Sequence, residues 1–322
     1  MDAVANGGKE VGLDEQDYPS LSRLVGIVLA AWPEHRAYLH NSLSVRTGPL
    51  LRSSDRLAEA VLDLAAPHEA GHADDYRWLC GQIMEEELYF RKHKTYRFKT
   101  FAEASEHVYS DHEFMNRYMN GLLYSQILWY MHASSLHFFS QRVAARVPVG
   151  GKVLEVGSGH GLLLFLALRD LGMSQAVAWD INQVSLDQTR HALEKLGALD
   201  RARFAVRDIH TVDAVDETFD LIILSHLLEH LENPVGVLKK ISPLLSHTGL
   251  VYVNVPLNAP MPDHLILLQT PEEAERLLTD GGFRPVEISH HTTHGMALTR
   301  ALRLKTAVTC SIIAERASLG FS

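Results

Sequence analysis

The chain has 322 residues, of which 46% are hydrophobic and 21% charged, enough to bury sizeable cores in two domains of ordinary size. A net charge of −9 argues against a nucleic-acid partner, because such binding rests on clustered Lys and Arg that release counterions. Two cysteines, Cys80 and Cys310, are too few for a disulfide framework or a cysteine-based metal cluster and read as small buried apolar side chains.

The opening MDAVANGGKEVG has no apolar core behind a basic start, so it does not read as a secretory signal and the expected location is the cytoplasm. The longest apolar runs, such as residues 24–32, fall short of the ~20 needed to span a bilayer, so neither a transmembrane helix nor a membrane partner is expected. Helical spacing of apolar residues predicts helices over 21–31, 56–64, 75–89 and 100–109, then a long apolar-aromatic helical stretch over 113–147. The basic segment RKHKTYRFK at 91–99 reads as a solvated face at a helix end, with contact to an acidic substrate or carrier protein as its alternative. Val147-Pro148-Val149-Gly150-Gly151 is the glycine-marked break, and it sets the expected boundary between an all-helical domain, 1–147, and a second domain, 148–322.

Beyond the break, β-branched runs at 152–156, 176–180, 203–206, 221–224, 250–255, 286–290 and 306–314 alternate with helix-length amphipathic runs. That alternation predicts an α/β fold with a Rossmann-like seven-stranded sheet, mostly parallel. The last two strands are expected as a terminal antiparallel hairpin joined without a helix.

The sharpest chemical signal is Val153-Leu154-Glu155-Val156-Gly157-Ser158-Gly159-His160-Gly161, an apolar strand running into alternating glycines and a helix over 162–171. Glycines let the backbone turn sharply and admit a ligand at the strand's carboxyl end. A dinucleotide fingerprint would need glycine at position 162, where leucine stands, and this argues against NAD. The pattern E-x-G-x-G-x-G resembles instead the first motif of class I S-adenosylmethionine-dependent methyltransferases. Asp180 ends the second strand, where a carboxylate can accept hydrogen bonds from ribose hydroxyls. Val206-Arg207-Asp208-Ile209, the run from Phe219 through Ser225 and His226 to Pro234 with its Leu-Glu-His-Leu, Gly249 to Pro256, and Gly281-Gly282-Phe283 resemble the family's later motifs in order.

The resemblance implies S-adenosylmethionine as cosubstrate, held by Glu155, Gly157, Ser158, Gly159, Gly161, Asp180, Ile181, Asp208, Ile209, Ser225 and His226, with Tyr109 and Gln126 from the segment before the first strand. Tyr109, Phe114, Tyr118, Tyr124, Trp129, Tyr130, Phe138 and Phe139 crowd that segment; most read as helix packing, while a tyrosine face also suits a sulfonium cation. Histidines cluster at His226 and His230 around Glu229, and again at His290, His291 and His294. Some methyltransferases of this kind hold a metal at Glu-x-x-Glu-His, but His226 replaces the first glutamate here, and no metal is expected. The candidate catalytic groups are His230, His226, His264 and Tyr118, a histidine acting as general base at neutral pH.

The expected enzyme is thus a methyltransferase for a small metabolite or secondary-metabolite acceptor. The layout is also similar to that of azetidine-2-carboxylate synthases, in which the cosubstrate's amine attacks its own γ-carbon and methylthioadenosine leaves. A non-catalytic binding module fits least, because the glycines and Asp180 are intact. Nothing in the sequence fixes an oligomeric state, and a homodimer is compatible with it.

Overall fold

The structure is a computed structural model that describes residues 12–212 and 217–317. All but the last residue of the opening stretch lies outside the described residues. Among the described residues, seven α-helices precede the sheet: α1 (Pro19–Ala31), α2 (Arg36–Ser44), α3 (Gly48–Ala65), α4 (Glu69–His93), α5 (Phe101–Ala104), α6 (His112–Leu128) and α7 (Tyr130–Phe138). A proline in the first turn opens α1 and α3, where the missing N–H costs nothing. Leu21, Leu24, Val25 and Val28 form the buried stripe of α1 at helical spacing. Thr100 and Glu103 close a capping box on α5, which widens into a π turn over Ser105–Tyr109, and Asp111 caps α6 by accepting the N–H groups of Glu113 and Phe114.

The single helical stretch expected over 113–147 is broken. Trp129 is extended (φ −89°, ψ 129°) and separates α6 from α7, which is followed by a π turn over Phe139–Val143. The sequence gives no warning because the cause lies in α2, a helix it did not announce. Ser42 Oγ donates to the Leu128 carbonyl (2.6 Å), and the buried Arg46 guanidinium donates to the carbonyls of Ile127 (2.8 Å) and Leu128 (3.3 Å). These donors satisfy carbonyls that the end of α6 leaves without helical partners. Trp129 Nε1 donates to Tyr76 Oη (2.9 Å), which fixes the corner.

Strands β1 (Lys152–Val156), β2 (Gln175–Asp180), β3 (Ala202–Val206), β4 (Phe219–Ser225), β5 (Leu245–Leu257), β6 (Phe283–Thr292) and β7 (Val308–Arg316) form one sheet in the order β3-β2-β1-β4-β5-β7-β6. All pairings are parallel except those of β7, which runs antiparallel to both its neighbours. The connecting helices are α8 (Leu162–Arg169), α9 (Gln183–Lys195), α10 (Pro234–Ile241), α11 (Pro271–Asp280) and α12 (Leu298–Leu304). The last helix corrects the expected helix-free hairpin: LTRALRL buries only Ala301 and so lacks the apolar stripe that announces a helix.

One face of the sheet shares a continuous apolar cluster with α1, α3, α6 and α7, while α10, α11 and α12 cover the other. The helical part is also tied to the strands by buried polar groups: Ser135 on α7 lies 2.9 Å from Ser311 Oγ and donates to Asn254 Oδ1 (3.1 Å). Cys310 is buried as expected, whereas Cys80 is only half-buried. The basic segment is largely exposed, and it pairs within the chain through Arg91 to Glu87 and Arg97 to Glu86. No helix among the described residues is long and apolar enough to cross a membrane.

Candidate functional site

A cavity of about 970 Å³ opens at the carboxyl ends of β1 to β5 and is roofed by residues of α6, α7 and the π turn before α6. Open α/β sheets bind ligands in this position, because the strands deliver loops there and nothing above them fills the space. The loop after β1 turns through Gly157 (φ +75°), Gly159 (φ +51°) and Gly161 (φ +75°). Gly157, Ser158 and Gly159 line the cavity. Gly161, expected beside them, does not: a Cβ there would sit 3.3 Å from Thr189 Cα and Ala192 Cβ, so this glycine lets the loop pack on α9. Ser158 Oγ is anchored to Thr189 Oγ1 (2.7 Å), and a Cβ at Gly159 would lie 3.1 Å from Met119 Cε on α6.

Acidic side chains follow the strand ends. Glu155 on β1 is 2% exposed, and burial pushes its carboxyl well above the usual range; one of its oxygens has no partner among the described residues. Asp180 ends β2 and accepts the Asn182 N–H (2.8 Å); burial raises it to about 6. Ile181, Asp208 and Ile209 line the same end, and Arg207 lies 4.8 Å from the centre of the Trp179 ring. Asp208 accepts the His210 N–H (2.9 Å).

Across the cavity stand Tyr109, Tyr118, Gln126 and Trp129 with Ser225, His226, His230 and His264. Tyr109 and Tyr118 donate to the two oxygens of Asp263, each at 2.9 Å, and burial together with this carboxylate pushes both phenols well above their usual range. Tyr124 turns away and donates to the Glu69 carbonyl, and Phe138 and Phe139 pack on Tyr252. Phe114 stacks on Tyr118 with centroids 6.0 Å apart.

The histidines divide by what their ring nitrogens face. His226 takes a left-handed conformation (φ +51°), is half-buried, and shares a hydrogen bond between its Nδ1 and Glu229 Oε1 (3.1 Å). His230 Nδ1 lies 3.0 Å from the Asp263 carbonyl, and the His226 carbonyl also holds its ring; burial pulls its pKa down, but Asp263 and Glu229 outweigh it and raise it. His264 Nδ1 lies 2.8 Å from the Ala259 carbonyl, and burial lowers it to about 4. Glu229 is buried, which favours its neutral form, yet the His226 hydrogen bond and the nearby imidazoles of His230 and His264 hold it at about 2. Atoms of Glu229, His230 and His264 converge within 4.8 Å, a donor set of metal-ligand type in which the carbonyls facing Nδ1 of His230 and His264 leave the Nε2 atoms to offer lone pairs.

His290, His291 and His294 do not reach the cavity; His291 packs edge-on to Phe138 and His294 to Tyr38. Sequence reasoning missed His132, His160 and the role of Asp263, all of which line the cavity. His160 stands inside the glycine loop and so carried a signal, whereas His132 and Asp263 did not.

Residues 149–288 match the family described as a methyltransferase domain. The chain is 27% identical over 133 residues, 41% of its length and 54% of the relative's, to a ubiquinone biosynthesis O-methyltransferase of Vibrio campbellii. It is 29% identical over 114 residues, 35% of its length and 55% of the relative's, to a phosphatidylethanolamine N-methyltransferase of Cereibacter sphaeroides. The chain thus spans about half the length of the curated relatives it matches. Among solved structures, the mitomycin 7-O-methyltransferase MmcR aligns at 15% identity with a TM-score of 0.49, covering 86% of this chain and 75% of that one.

Proposed function

We propose that this protein is an S-adenosylmethionine-dependent methyltransferase acting on a small metabolite, with residues 148–322 holding the cosubstrate and the helical part, residues 1–147, completing the acceptor pocket. The observation that carries this reading is one cavity bounded by the Gly157–Gly159 loop and Asp180 at parallel strand ends and roofed by Tyr109, Tyr118 and Trp129. The cosubstrate fits these residues. Asp180 offers a carboxylate to a ribose, the glycine loop admits a close approach, and Glu155 keeps an oxygen without a partner among the described residues. When bound, the sulfonium supplies an activated methyl group. The protein's own contribution is to align the acceptor, exclude water under the tyrosine roof and take up a proton.

His226 is the proton acceptor in this reading. The donors and acceptors fix its tautomer: Glu229 is acceptor-only when ionised, so His226 carries its proton on Nδ1 and leaves Nε2 as the lone pair. His230 and His264 also donate Nδ1–H, to the Asp263 and Ala259 carbonyls, and keep Nε2 lone pairs, but their side chains are 16% and 5% exposed against 31% for His226, so His226 is the imidazole best placed to meet an acceptor. Incubation with S-adenosylmethionine, alone and with a panel of small phenols and amines, tests the function by mass spectrometry of the nucleoside product. S-adenosylhomocysteine that appears only with an acceptor supports methyl transfer. Methylthioadenosine with azetidine-2-carboxylate from the cosubstrate alone would replace methyl transfer by intramolecular cyclisation.

A further inference from the structure

The charges around the cavity are lopsided. Among the described residues, Glu155, Asp180, Asp208, Glu232 and Asp263 line it against the single guanidinium of Arg207, and no lysine does. Four of these carboxylates have a backbone partner or a place at the glycine loop. Asp180 and Asp208 accept backbone N–H groups at the nucleoside end, Glu232 accepts the Phe101 N–H (2.8 Å), and Glu155 stands under the glycine loop with one unfilled oxygen. Asp263 is different. It is 3% exposed, on the loop after β5, and receives two phenol O–H groups from the helical part. His230 Nδ1 lies 3.0 Å from the Asp263 backbone carbonyl and 3.5 Å from the carboxylate, so the imidazole is an ion-pair neighbour that makes its hydrogen bond to the backbone and leaves the two phenols as the carboxylate's donors.

We propose that Asp263, held by Tyr109 and Tyr118, is the receptor for a primary ammonium group in this cavity. A buried carboxylate whose imidazole partner stands at 3.5 Å, beyond a direct hydrogen bond, is incompletely neutralised, and a ligand cation completes it. Each carboxylate oxygen keeps a lone pair after accepting one phenol proton, and an ammonium has three donors to offer. Both phenols line the cavity, Tyr109 stacked on Phe101 (5.7 Å) and Tyr118 on Phe114 (6.0 Å), and aromatic rings attract cations. The same surroundings repel an anionic acceptor. Glu155 adds an independent sign of a polar ligand, because a carboxyl oxygen buried at the wall without a partner among the described residues also calls for a hydrogen-bonding group from a ligand.

This inference rests on the proposed function, and the ammonium has two sources within it: the amino-acid end of the cosubstrate or an amine acceptor. Calorimetry on the full chain separates them, with the wild type and Asp263→Asn titrated with S-adenosylhomocysteine and with its analogue in which hydrogen replaces the α-ammonium. The S-adenosylhomocysteine-saturated proteins are then titrated with 2-phenylethylamine and with 2-phenylethanol. The expected result is that one ammonium probe weakens about tenfold or more in Asp263→Asn while its ammonium-free match changes less than about twofold. Loss on S-adenosylhomocysteine assigns the site to the cosubstrate's amine; loss on 2-phenylethylamine assigns it to an acceptor. If no ammonium probe depends on Asp263, or if matched probes weaken equally, the receptor is overturned. A wild type that fails to bind S-adenosylhomocysteine overturns the proposed function instead, and the titration of the free protein with 2-phenylethylamine still decides the receptor. Should Asp263→Asn not fold, Tyr118→Phe keeps the charge and frees one carboxylate lone pair. Ammonium affinity then stays or rises, and a loss overturns the proposal.

Discussion

Asp180→Asn tests the placement of the site through two effects of opposite sign. The wild-type carboxylate stands at the carboxyl end of β2, where the proposed function assigns it two ribose hydroxyls, while the Asn182 and Ile181 N–H groups hold its orientation. Asparagine keeps an oxygen for those N–H groups, so the turn survives, but charge-assisted bonds of roughly 1.5–3 kcal/mol each become one neutral bond. The expected loss is about 2–4 kcal/mol, a Kd for S-adenosylhomocysteine weaker by roughly 30- to 1000-fold. Stability moves the other way. The folded carboxyl lies at about 6, above its ordinary value of 3.8, because burial disfavours the ion. A folded pKa above the unfolded one means that the ionised group costs stability, a cost that develops as pH rises from 3.8 through 6 and is fully present at pH 7. Removing it returns on the order of 1–3 kcal/mol, a melting temperature higher by a few degrees. Calorimetry and thermal unfolding at pH 7 read both effects. A folded variant with unchanged affinity, or with a lower melting temperature, refutes the reasoning.

Cosubstrate affinity of the wild type should fall as pH drops below about 6, where Asp180 takes up its proton, and titration calorimetry across pH 5 to 8 checks this. Four histidines, the buried His35, His264 and His291 and the half-buried His160, are lowered by desolvation to about 4. Unfolding near pH 5 therefore takes up protons on them; stability is full above their ordinary value of 6.5 and is lost as pH falls through 4. The measured slope should exceed about 1.4 kcal/mol per pH unit, since Asp180 and Glu155 offset only part of the uptake. Arg46→Met removes the guanidinium that satisfies the Ile127 and Leu128 carbonyls and should cost about 3–5 kcal/mol in urea unfolding; a cost under about 1 kcal/mol would show that water replaces it. Gly161→Ala puts a Cβ at φ +75° and 3.3 Å from α9, so it should lower stability by roughly 1–3 kcal/mol while leaving S-adenosylhomocysteine affinity within about threefold.

The sheet was legible because its central strands are continuous apolar runs buried on both faces, as at Val153-Leu154 and Leu221-Ile222-Ile223-Leu224, and because each glycine and acid at a strand end sits close in sequence to the strand that carries it. Helix α2 was not legible, since its buried positions are Leu39, Ser42 and Leu43, too few for a stripe, and it is placed by the carbonyls it serves on α6. Gly161 misled because positive φ serves tight packing as well as ligand approach, and one letter denotes both. Asp263 meets Tyr109 and Tyr118 across 154 and 145 residues, a distance over which no spacing rule operates. The histidines of the second cluster are close in sequence but lie on β6 and the turn after it, where side chains pack against α2 and α7 rather than converge.

The core that α1, α3, α6 and α7 share with one face of the sheet bears on how such a protein can diversify. In an architecture whose ligand-facing roof is a detachable module, a new specificity can be acquired by recombination, exchanging one roof for another over a constant base. Here α7 covers the sheet beside β6 and β7 and bonds through Ser135 to Asn254 and Ser311, so the roof is also part of the floor's hydrophobic seal. A transplanted roof would have to carry that seal with it. Point changes at lining positions such as Met115, Leu122 and Met131, which touch the cavity without holding the halves together by hydrogen bonds, are the cheaper route, and directed libraries confined to them should keep the fold while altering what enters.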